Sequence, residues 1–371
     1  MKWYKQTSLA QQGNLDKEVW IRQDDEKIVK FDVDLYLGKK TNLLLLKKNI
    51  VENIQKQVKY YKKTRTKLYS KNNDKEVVKK CPVCGYCSDE AVSRVKIYGA
   101  DYVQCTNCSH LFIHERPSKR SINNFYLNDV TYAATYTNKL AAESRLNAIA
   151  VPWVNWVTEV FKNQYGYYPK KILDVGSGAG HFVEACRRAG YEADGVELSE
   201  SSRIFAKNTW GIELDGRDFV DVAKDYEGYD IVTFWGLLEH TPNPGQILDA
   251  AYKVVSKSKN GMVISKLPRW NSLSSASQQL STNTVIRHLD PMGHIMAFTD
   301  ASAAELYYLN GFKPIAAWYY GMDIYETLMQ IGNKIDSYDH LIKTGNLQME
   351  LQQFVDENRF SDGLTIVGVP K

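Results

Sequence analysis

The sequence predicts an α/β domain with a largely parallel sheet, preceded by a small metal-binding module. From Lys171 onward, strand signals alternate with helix signals, as such a sheet requires. The first of these strands runs into a glycine-rich turn, DVGSGAG, at residues 174–180. Two Cys-x2-Cys pairs stand ahead of the domain, at residues 81–84 and 105–108.

Composition places the chain among ordinary globular proteins. Its 371 residues leave room for two or three domains, and 44% of them are hydrophobic and 24% charged. The longest aliphatic run, residues 43–46, is far shorter than the roughly 20 residues of a transmembrane helix. The first residues lack the apolar centre of a signal peptide. We therefore expect a cytoplasmic protein without a transmembrane segment.

Residues 1–80 are expected to form an N-terminal extension of short strands and one basic helix. The stretches EVWIRQ and KIVKFDVDLYL alternate as strands do. Residues 42–69 place apolar side chains at helical spacing, which predicts an amphipathic helix and a packing or homodimer face. Residues 39–80 carry 14 Lys and Arg against 3 acids. Such a block is typical of a solvated helical face, and contact with RNA or an anionic membrane surface is the alternative.

Residues 81–125 are expected to form a zinc-binding module. The two cysteine pairs are separated by 20 residues, a spacing that lets four thiolates close a tetrahedral zinc site. In a reducing compartment, metal binding explains these cysteines better than disulfides do. A four-thiolate site leaves no position for water, so the zinc would be structural. Cys87 is left outside the predicted ligand set, which is Cys81, Cys84, Cys105 and Cys108.

A tyrosine-rich link and a helix, residues 126–168, lead into the α/β domain at residues 169–371. Pro152 interrupts the helical pattern and predicts a break or kink there. The residues from Asp323 to Arg359, inserted before the last strand, are expected to be helical. The predicted strands of the domain are KILDVG, EADGVEL, YDIVTFW, GMVISKLP, KPIAAWYYG and LTIVGVP.

The glycine-rich turn predicts a cofactor site. A dinucleotide fingerprint would place its third glycine at position 181, where this chain has His181. Glycines let the backbone approach a ligand, and the helix that follows offers free N–H groups to an anion. Glu197, at the end of the next strand, is placed to accept hydrogen bonds from both ribose hydroxyls. For S-adenosylmethionine, the anion would be the methionine carboxylate.

Four segments of the chain resemble class I S-adenosylmethionine-dependent methyltransferases. LDVGSGAGHF is similar to the first motif of that family, and GVELS to its second-strand acid. YDIVTFWGLLEHTPNP resembles the fourth strand and its turn, and FTDASAAELYYLNGF the helix before the closing hairpin. With the cysteine pairs in front, residues 81–371 resemble sugar C- and O-methyltransferases of nucleotide-sugar and surface-polysaccharide pathways. The resemblance implies a Rossmann-like sheet with a closing antiparallel hairpin.

The resemblance also implies which residues hold the cofactor. Glu197 would hold the ribose, and Asp218 and Phe219 would lie beside the adenine. Trp235, just past the fourth strand, is expected to wall the pocket, with plain core packing as the alternative. The methionine part would be contacted by Asp174, Gly176, Gly178 and Gly180.

Histidines are the expected proton acceptors. Methyl transfer from a sulfonium is an in-line displacement, so alignment supplies much of the rate and a base near neutrality completes it. Loops at the carboxyl ends of the strands face the ligand crevice. His240 lies in one such loop, where bracing the loop is the alternative to acting on substrate. His288 and His294 lie in another loop, and a surface position is the alternative for His288. The resemblance implies that His294 lines the active site, although the residue before it departs from the family pattern.

Three further residues are expected to contact the substrate. Arg287 can meet an anion such as a nucleotide diphosphate through paired donors, with a surface ion pair as the alternative. Tyr132 and Tyr136, like Tyr126, are candidates to close over the pocket, with plain packing as the alternative for each in a chain of 24 tyrosines.

The sequence thus predicts transfer of a methyl group from S-adenosylmethionine to a sugar, nucleotide-linked or glycan-bound, at oxygen or carbon. An RNA methyltransferase that uses the zinc module and the basic segment to bind RNA is the alternative. A non-catalytic scaffold is the third hypothesis. The acceptor atom and the oligomeric state stay open.

Overall fold

A computed structural model describes residues 1–6, 17–39, 54–118, 120–122 and 139–371. Tyr126, Tyr132 and Tyr136, and the first part of the predicted basic helix, lie outside the described residues. Within the described ranges, no helix is both long and apolar enough to cross a membrane.

The strands, numbered along the chain, are β1 (Lys2–Gln6), β2 (Lys17–Gln23), β3 (Ile28–Leu37), β4 (Lys75–Val77), β5 (Val92–Ile97), β6 (Ala100–Gln104), β7 (Leu111–Ile113), β8 (Glu115–Pro117), β9 (Lys171–Val175), β10 (Glu192–Val196), β11 (Ile231–Trp235), β12 (Met262–Pro268), β13 (Met296–Ala297), β14 (Phe312–Tyr319) and β15 (Gly363–Pro370). The helices are α1 (Ile54–Leu68), α2 (Lys139–Arg145), α3 (Val151–Tyr165), α4 (His181–Arg188), α5 (Glu200–Trp210), α6 (Phe219–Val222), α7 (Pro244–Val255), α8 (Leu273–Gln279), α9 (Asp300–Leu309), α10 (Asp323–Ile335), α11 (Asp339–Lys343) and α12 (Leu347–Glu357).

The core of the molecule is a nine-stranded sheet in the order β1-β2-β3-β14-β15-β12-β11-β9-β10. Strands β12, β11, β9 and β10 run parallel, and β15 runs antiparallel to both β12 and β14. All six strands predicted for the α/β domain form. The predicted Rossmann-like α/β fold with an antiparallel closing pair is therefore confirmed. Helices α10, α11 and α12 connect β14 to β15, so the insert from Asp323 is helical as expected.

The N-terminal strands extend this same sheet. β1, β2 and β3 pair antiparallel in sequence order. β3 then runs parallel to β14, with Asp34 opposite Ala316 and Leu37 opposite Tyr319. The sequence predicted strands here, but their place at the sheet edge depends on a pairing across almost 300 residues.

The apolar side of helix α1 packs against other segments of the same chain. Ile54 packs with Tyr325 and Met329, and Leu68 packs with Leu289. The lysines of α1 lie exposed on the other side of the helix. The apolar side chains in this part of the helix thus form a packing face within the chain. The homodimer remains a prediction, and this face does not support it.

The cysteine-rich segment forms a small sheet that reaches across the chain. Strands β5, β6 and β7 pair antiparallel, and β7 pairs with β13 from the C-terminal half. The Tyr102 hydroxyl donates to the His294 carbonyl oxygen at 2.8 Å, and the Tyr98 hydroxyl donates to the Val285 carbonyl oxygen. The segment therefore anchors the loop at residues 285–295.

The helix before the α/β domain is irregular at the predicted place. Residues Leu146–Ala150 form one π-helical turn between α2 and α3. Pro152 stands just after it, near the start of α3. A proline lacks the N–H of a regular helix and clashes with the preceding turn, which explains the change of helical pitch.

Candidate active site

The glycine turn joins β9 to α4 at the carboxyl edge of the sheet. Gly176, Gly178 and Gly180 have φ of +74°, +52° and +74°, which only glycine adopts without strain. A Cβ at Gly176 would also lie 3.1 Å from a Leu237 methyl. The turn therefore presents bare backbone to the crevice, and α4 begins directly after it at His181.

Glu197 faces this turn from the end of β10. Its Oε2 accepts the Gly178 N–H at 2.7 Å, and its Oε1 accepts the Ser199 N–H at 2.7 Å. A carboxylate offers about four lone-pair sites. The two contacts therefore fix the carboxylate and leave acceptor capacity for two further donors.

Asp174 lies beneath the turn and is 3% exposed. Its Oδ1 accepts the Thr233 hydroxyl at 2.7 Å. Burial, with a smaller repulsion from Glu197, raises the pKa of Asp174 to about 8. This carboxyl joins β9 to the neighbouring β11 through the Thr233 hydroxyl.

The residues expected at the adenine and beside the cofactor lie around the same edge. Asp218 caps α6 by accepting the Val220 N–H at 2.9 Å, and Phe219 is buried. Trp235 stacks on Trp153 with ring centroids 4.1 Å apart and planes 6° apart. Trp235 thus has a packing partner that the sequence did not indicate.

Glu239, His240 and His294 converge from two loops. Glu239 and His240 lie in the short turn Leu238–His240 after β11, and His294 precedes β13. Glu239 Oε1 lies 4.0 Å from His240 Nε2 and 3.9 Å from His294 Nε2. Burial raises the pKa of Glu239 and lowers that of His294. The expected histidines His240 and His294 therefore meet at the crevice, around a carboxylate that the sequence analysis did not assign a role.

His288 is enclosed rather than presented to the crevice. It is 1% exposed, and its Nε2 lies 2.9 Å from the Ser275 hydroxyl and 3.1 Å from the Arg269 carbonyl oxygen. Burial lowers its pKa to about 4. Its own carbonyl oxygen accepts the His294 Nδ1–H at 2.6 Å, so His288 positions His294.

Arg287 is already paired within the protein. Its Nε donates to Glu326 at 2.5 Å, and its guanidinium also pairs with Asp362. Its side chain is 27% exposed. The guanidinium donors that were expected to bind a substrate anion therefore bind two carboxylates of the chain. An ion pair was the alternative that the sequence left open for Arg287.

Two lysines near this site were missed by the sequence analysis. Lys266 lies within β12, close enough to Glu239 to lower its pKa. Lys39 lies 5.3 Å from the Trp153 ring centroid and 5.7 Å from that of Tyr320. Burial and the repulsion of Lys266 lower the pKa of Lys39 to about 7. Neither ammonium has an ion-pair partner within the described ranges, and an isolated lysine carries no motif that a sequence could show.

The four predicted zinc ligands lie together. Cys81 Sγ is 3.5 Å from Cys108 Sγ, and Cys84 Sγ is 3.6 Å from Cys105 Sγ. All four sulfurs lie within 4.8 Å of one another, and Cys87 is exposed outside the group. Such a set of thiols fits a tetrahedral zinc ion.

Known proteins resemble part of the chain. Residues 147–317 match a family model described as a methyltransferase domain. The ubiquinone biosynthesis O-methyltransferase of Pseudomonas savastanoi pv. phaseolicola is 33% identical over 108 residues, 28% of this chain and 45% of the relative. That of Psychrobacter cryohalolentis is 28% identical over 144 residues, 33% of this chain and 56% of the relative. The chain thus spans about half the length of the curated relatives it matches.

Two solved structures are also similar. A SAM-dependent methyltransferase from Archaeoglobus fulgidus gives a TM-score of 0.38 at 17% identity, over 58% of this chain and 94% of that one. The plantazolicin methyltransferase BpumL in complex with SAH gives 0.39 at 18% identity, over 69% and 91%. The sheet order and the glycine turn agree with the family match, and residues 147–317 are thus similar to a methyltransferase domain within a Rossmann-like α/β fold.

Proposed function

We propose that the protein transfers the methyl group of S-adenosylmethionine to a small acceptor, a sugar that is nucleotide-linked or glycan-bound. The observation that carries the proposal is the convergence of the glycine turn, Glu197 and the Glu239–His240–His294 cluster at one sheet edge. Cofactor and proton-accepting groups thus face the same crevice. Such a crevice, outside the carboxyl ends of parallel strands, is where open α/β sheets bind ligands.

The cofactor contacts in this proposal follow the sequence prediction. The glycine turn and the start of α4 receive the methionine part, where exposed N–H groups favour a carboxylate. The remaining acceptor sites of Glu197 hold the ribose hydroxyls. Asp218 and Phe219 flank the adenine, and Trp235 forms a wall of the pocket.

The acceptor loses its proton at the Glu239–His240–His294 cluster. Burial favours the neutral imidazole of His294, and a neutral ring can take a proton. His288 holds that ring in one orientation through its carbonyl oxygen. An aligned acceptor then attacks the methyl carbon in line with the departing sulfur.

Two observations bear on the acceptor. Lys39 and Lys266 lie beside Trp153 and Tyr320 without ion-pair partners within the described ranges. Burial lowers the pKa of both lysines, and an acidic group such as a sugar-linked phosphate would favour their charged form. Two relatives are named ubiquinone biosynthesis O-methyltransferases, which favours oxygen over carbon as the acceptor atom. A phenol hydroxyl is therefore the second candidate acceptor.

The four-cysteine cluster holds a structural zinc ion in this proposal. The zinc would hold two reverse turns together, in which Gly85 N–H donates to Cys81 O at 2.9 Å and Ser109 N–H donates to Cys105 O at 3.0 Å. Free thiolates of this kind require a reducing compartment, so we propose the cytoplasm as the location.

The test is product formation with defined acceptors. Purified protein is incubated with S-adenosylmethionine and either nucleotide sugars or polyphenols, and S-adenosylhomocysteine is quantified by mass spectrometry. Turnover with nucleotide sugars alone supports the sugar acceptor, and turnover with polyphenols alone supports the phenol. Activity on RNA that falls steeply with rising salt would replace both with the RNA alternative.

A further inference from the structure

Glu239, His240 and His294 have the composition of a metal site with open positions. Their nearest ligand atoms all lie within 4.8 Å of one another. At 3.9 and 4.0 Å, the two imidazole nitrogens are too far from Glu239 Oε1 for hydrogen bonds. The three side chains therefore face a common gap rather than each other.

The gap is close to the size that a metal ion needs. Bonds of about 2.0–2.1 Å at tetrahedral angles separate two ligand atoms by about 3.4 Å. The observed distances exceed this value by about half an ångström, which small side-chain rotations can close. Two imidazoles with one carboxylate are a common ligand set for catalytic zinc and for iron(II).

Glu239 gives the second, independent reason. The residue is 3% exposed, and its Oε2 is buried with no hydrogen-bond partner within the described ranges. A buried carboxylate oxygen left without a partner costs free energy. A cation in the gap would supply the missing partner.

Hydrogen bonds to neighbouring backbone groups fix the positions of the ligand residues. His294 donates from Nδ1 to the His288 carbonyl oxygen, which leaves Nε2, 3.9 Å from Glu239 Oε1, as the nitrogen with a free lone pair. Metal-binding histidines usually have such a hydrogen bond on the second nitrogen. The Ile295 N–H donates to the Glu239 carbonyl oxygen at 3.1 Å and ties the two loops together.

We propose that Glu239, His240 and His294 bind one divalent transition-metal ion, of the class of zinc or iron(II), beside the cofactor crevice. This site is separate from the four-cysteine cluster. Three protein ligands leave at least one coordination position for a water molecule or an acceptor oxygen.

The chemical role of the ion rests on the proposed function. A hydroxyl bound to a divalent cation has a lowered pKa. With the ion bound, the histidine nitrogens are ligands and no longer take the proton, so the hydroxyl releases it to water instead. The oxygen then forms a bond to the methyl carbon, the carbon–sulfur bond breaks, and its electron pair stays on sulfur. The products are the methyl ether, S-adenosylhomocysteine and one proton, and the metal keeps its charge throughout.

The experiment measures metal binding without turnover. Protein is freed of metal and given one equivalent of Zn²⁺ to fill the thiolate cluster, and Co²⁺ is then titrated while the visible spectrum is recorded. Wild type is compared with Glu239→Gln and His294→Ala. Glu350→Gln and His340→Ala are the matched controls, at residues outside the cluster. Circular dichroism confirms that each variant is folded.

We expect the wild type and both controls to bind one Co²⁺, with d–d bands but without thiolate charge-transfer bands. Glu239→Gln and His294→Ala should bind it at least about tenfold more weakly, the scale that even changes beyond the direct ligands produce. Equal Co²⁺ binding by wild type and both cluster variants would overturn the proposal, as would thiolate bands only. Wild-type binding of S-adenosylhomocysteine, measured in parallel, tests the proposed function separately.

Discussion

The ion pair between Arg65 and Asp290 provides the sharpest test of how the histidine loop is held. Arg65 Nε and its terminal nitrogen donate to the two Asp290 oxygens, each at 2.9 Å. The side chains are 2% and 9% exposed. The Asp290 carbonyl oxygen in turn accepts the His294 N–H at 2.8 Å. Helix α1 is thereby connected to the turn that carries His294.

Arg65→Met keeps most of the apolar stem and removes the charge. Asp290 is then left buried without its partner, and removal of one partner of a buried pair costs about 3–5 kcal/mol. We expect the free energy of unfolding, measured by urea denaturation, to fall by that amount. The Arg65→Met/Asp290→Asn double variant should recover part of the loss, with a coupling of about 0.5–3 kcal/mol.

A second bidentate pair serves as the control. Arg188 donates to both Glu143 oxygens, at 3.0 and 2.8 Å, but the side chains are 45% and 57% exposed. Arg188→Met should therefore cost less than about 1 kcal/mol. If Arg65→Met costs no more than Arg188→Met, the buried pair does not anchor the loop and this account is wrong.

Three further predictions concern the cofactor, pH and the cysteine cluster. Glu197→Ala should weaken S-adenosylhomocysteine binding by about 10- to 100-fold in calorimetry, because hydrogen bonds to a charged group are worth about 1.5–3 kcal/mol, whereas Glu200→Ala should not change it. The pKa of His288 is lowered to about 4, so the unfolded chain binds its proton first and stability falls as pH drops from about 6.5 toward 4. His288→Gln should remove about 2 kcal/mol of the loss between pH 7 and pH 5 in urea denaturation, and equal losses in both proteins would contradict this. Cys84→Ser should reduce methyl transfer while S-adenosylhomocysteine still binds as in wild type, because the cluster supports the histidine loop through β7 and β13; a parallel loss of cofactor binding would argue against that separation.

Local patterns in the sequence predicted the sheet strands, the glycine turn and the cysteine cluster. Each of these depends on residues close together in the chain. The positive φ values at Gly176 and Gly180 require glycine, so the turn can be recognised in the sequence. The Cys-x2-Cys spacing can be recognised in the same way. The position of Glu197 follows from the adjacency of β9 and β10.

Contacts between distant segments could not be predicted in the same way. The pairing of β3 with β14, the contact of Arg65 with Asp290 and the pairing of β7 with β13 each join residues well over 100 positions apart. The role of Glu239 appears only when His294, 55 residues later, is brought beside it by these contacts. Arg287 was expected to bind a substrate anion, but it pairs with Glu326 and Asp362. These partners lie far along the chain, so the sequence could not show that they occupy its donors.

The most direct test of the central claim is the thermal stability of the wild-type protein with S-adenosylmethionine, S-adenosylhomocysteine, NAD or no ligand. A ligand at 100 times its dissociation constant adds about 2.7 kcal/mol to the free energy of unfolding, which raises the melting temperature measurably. The account predicts a rise with both adenosyl compounds and none with NAD. A rise with NAD alone would show that the glycine turn holds a dinucleotide, and the methyltransferase proposal would fail with it.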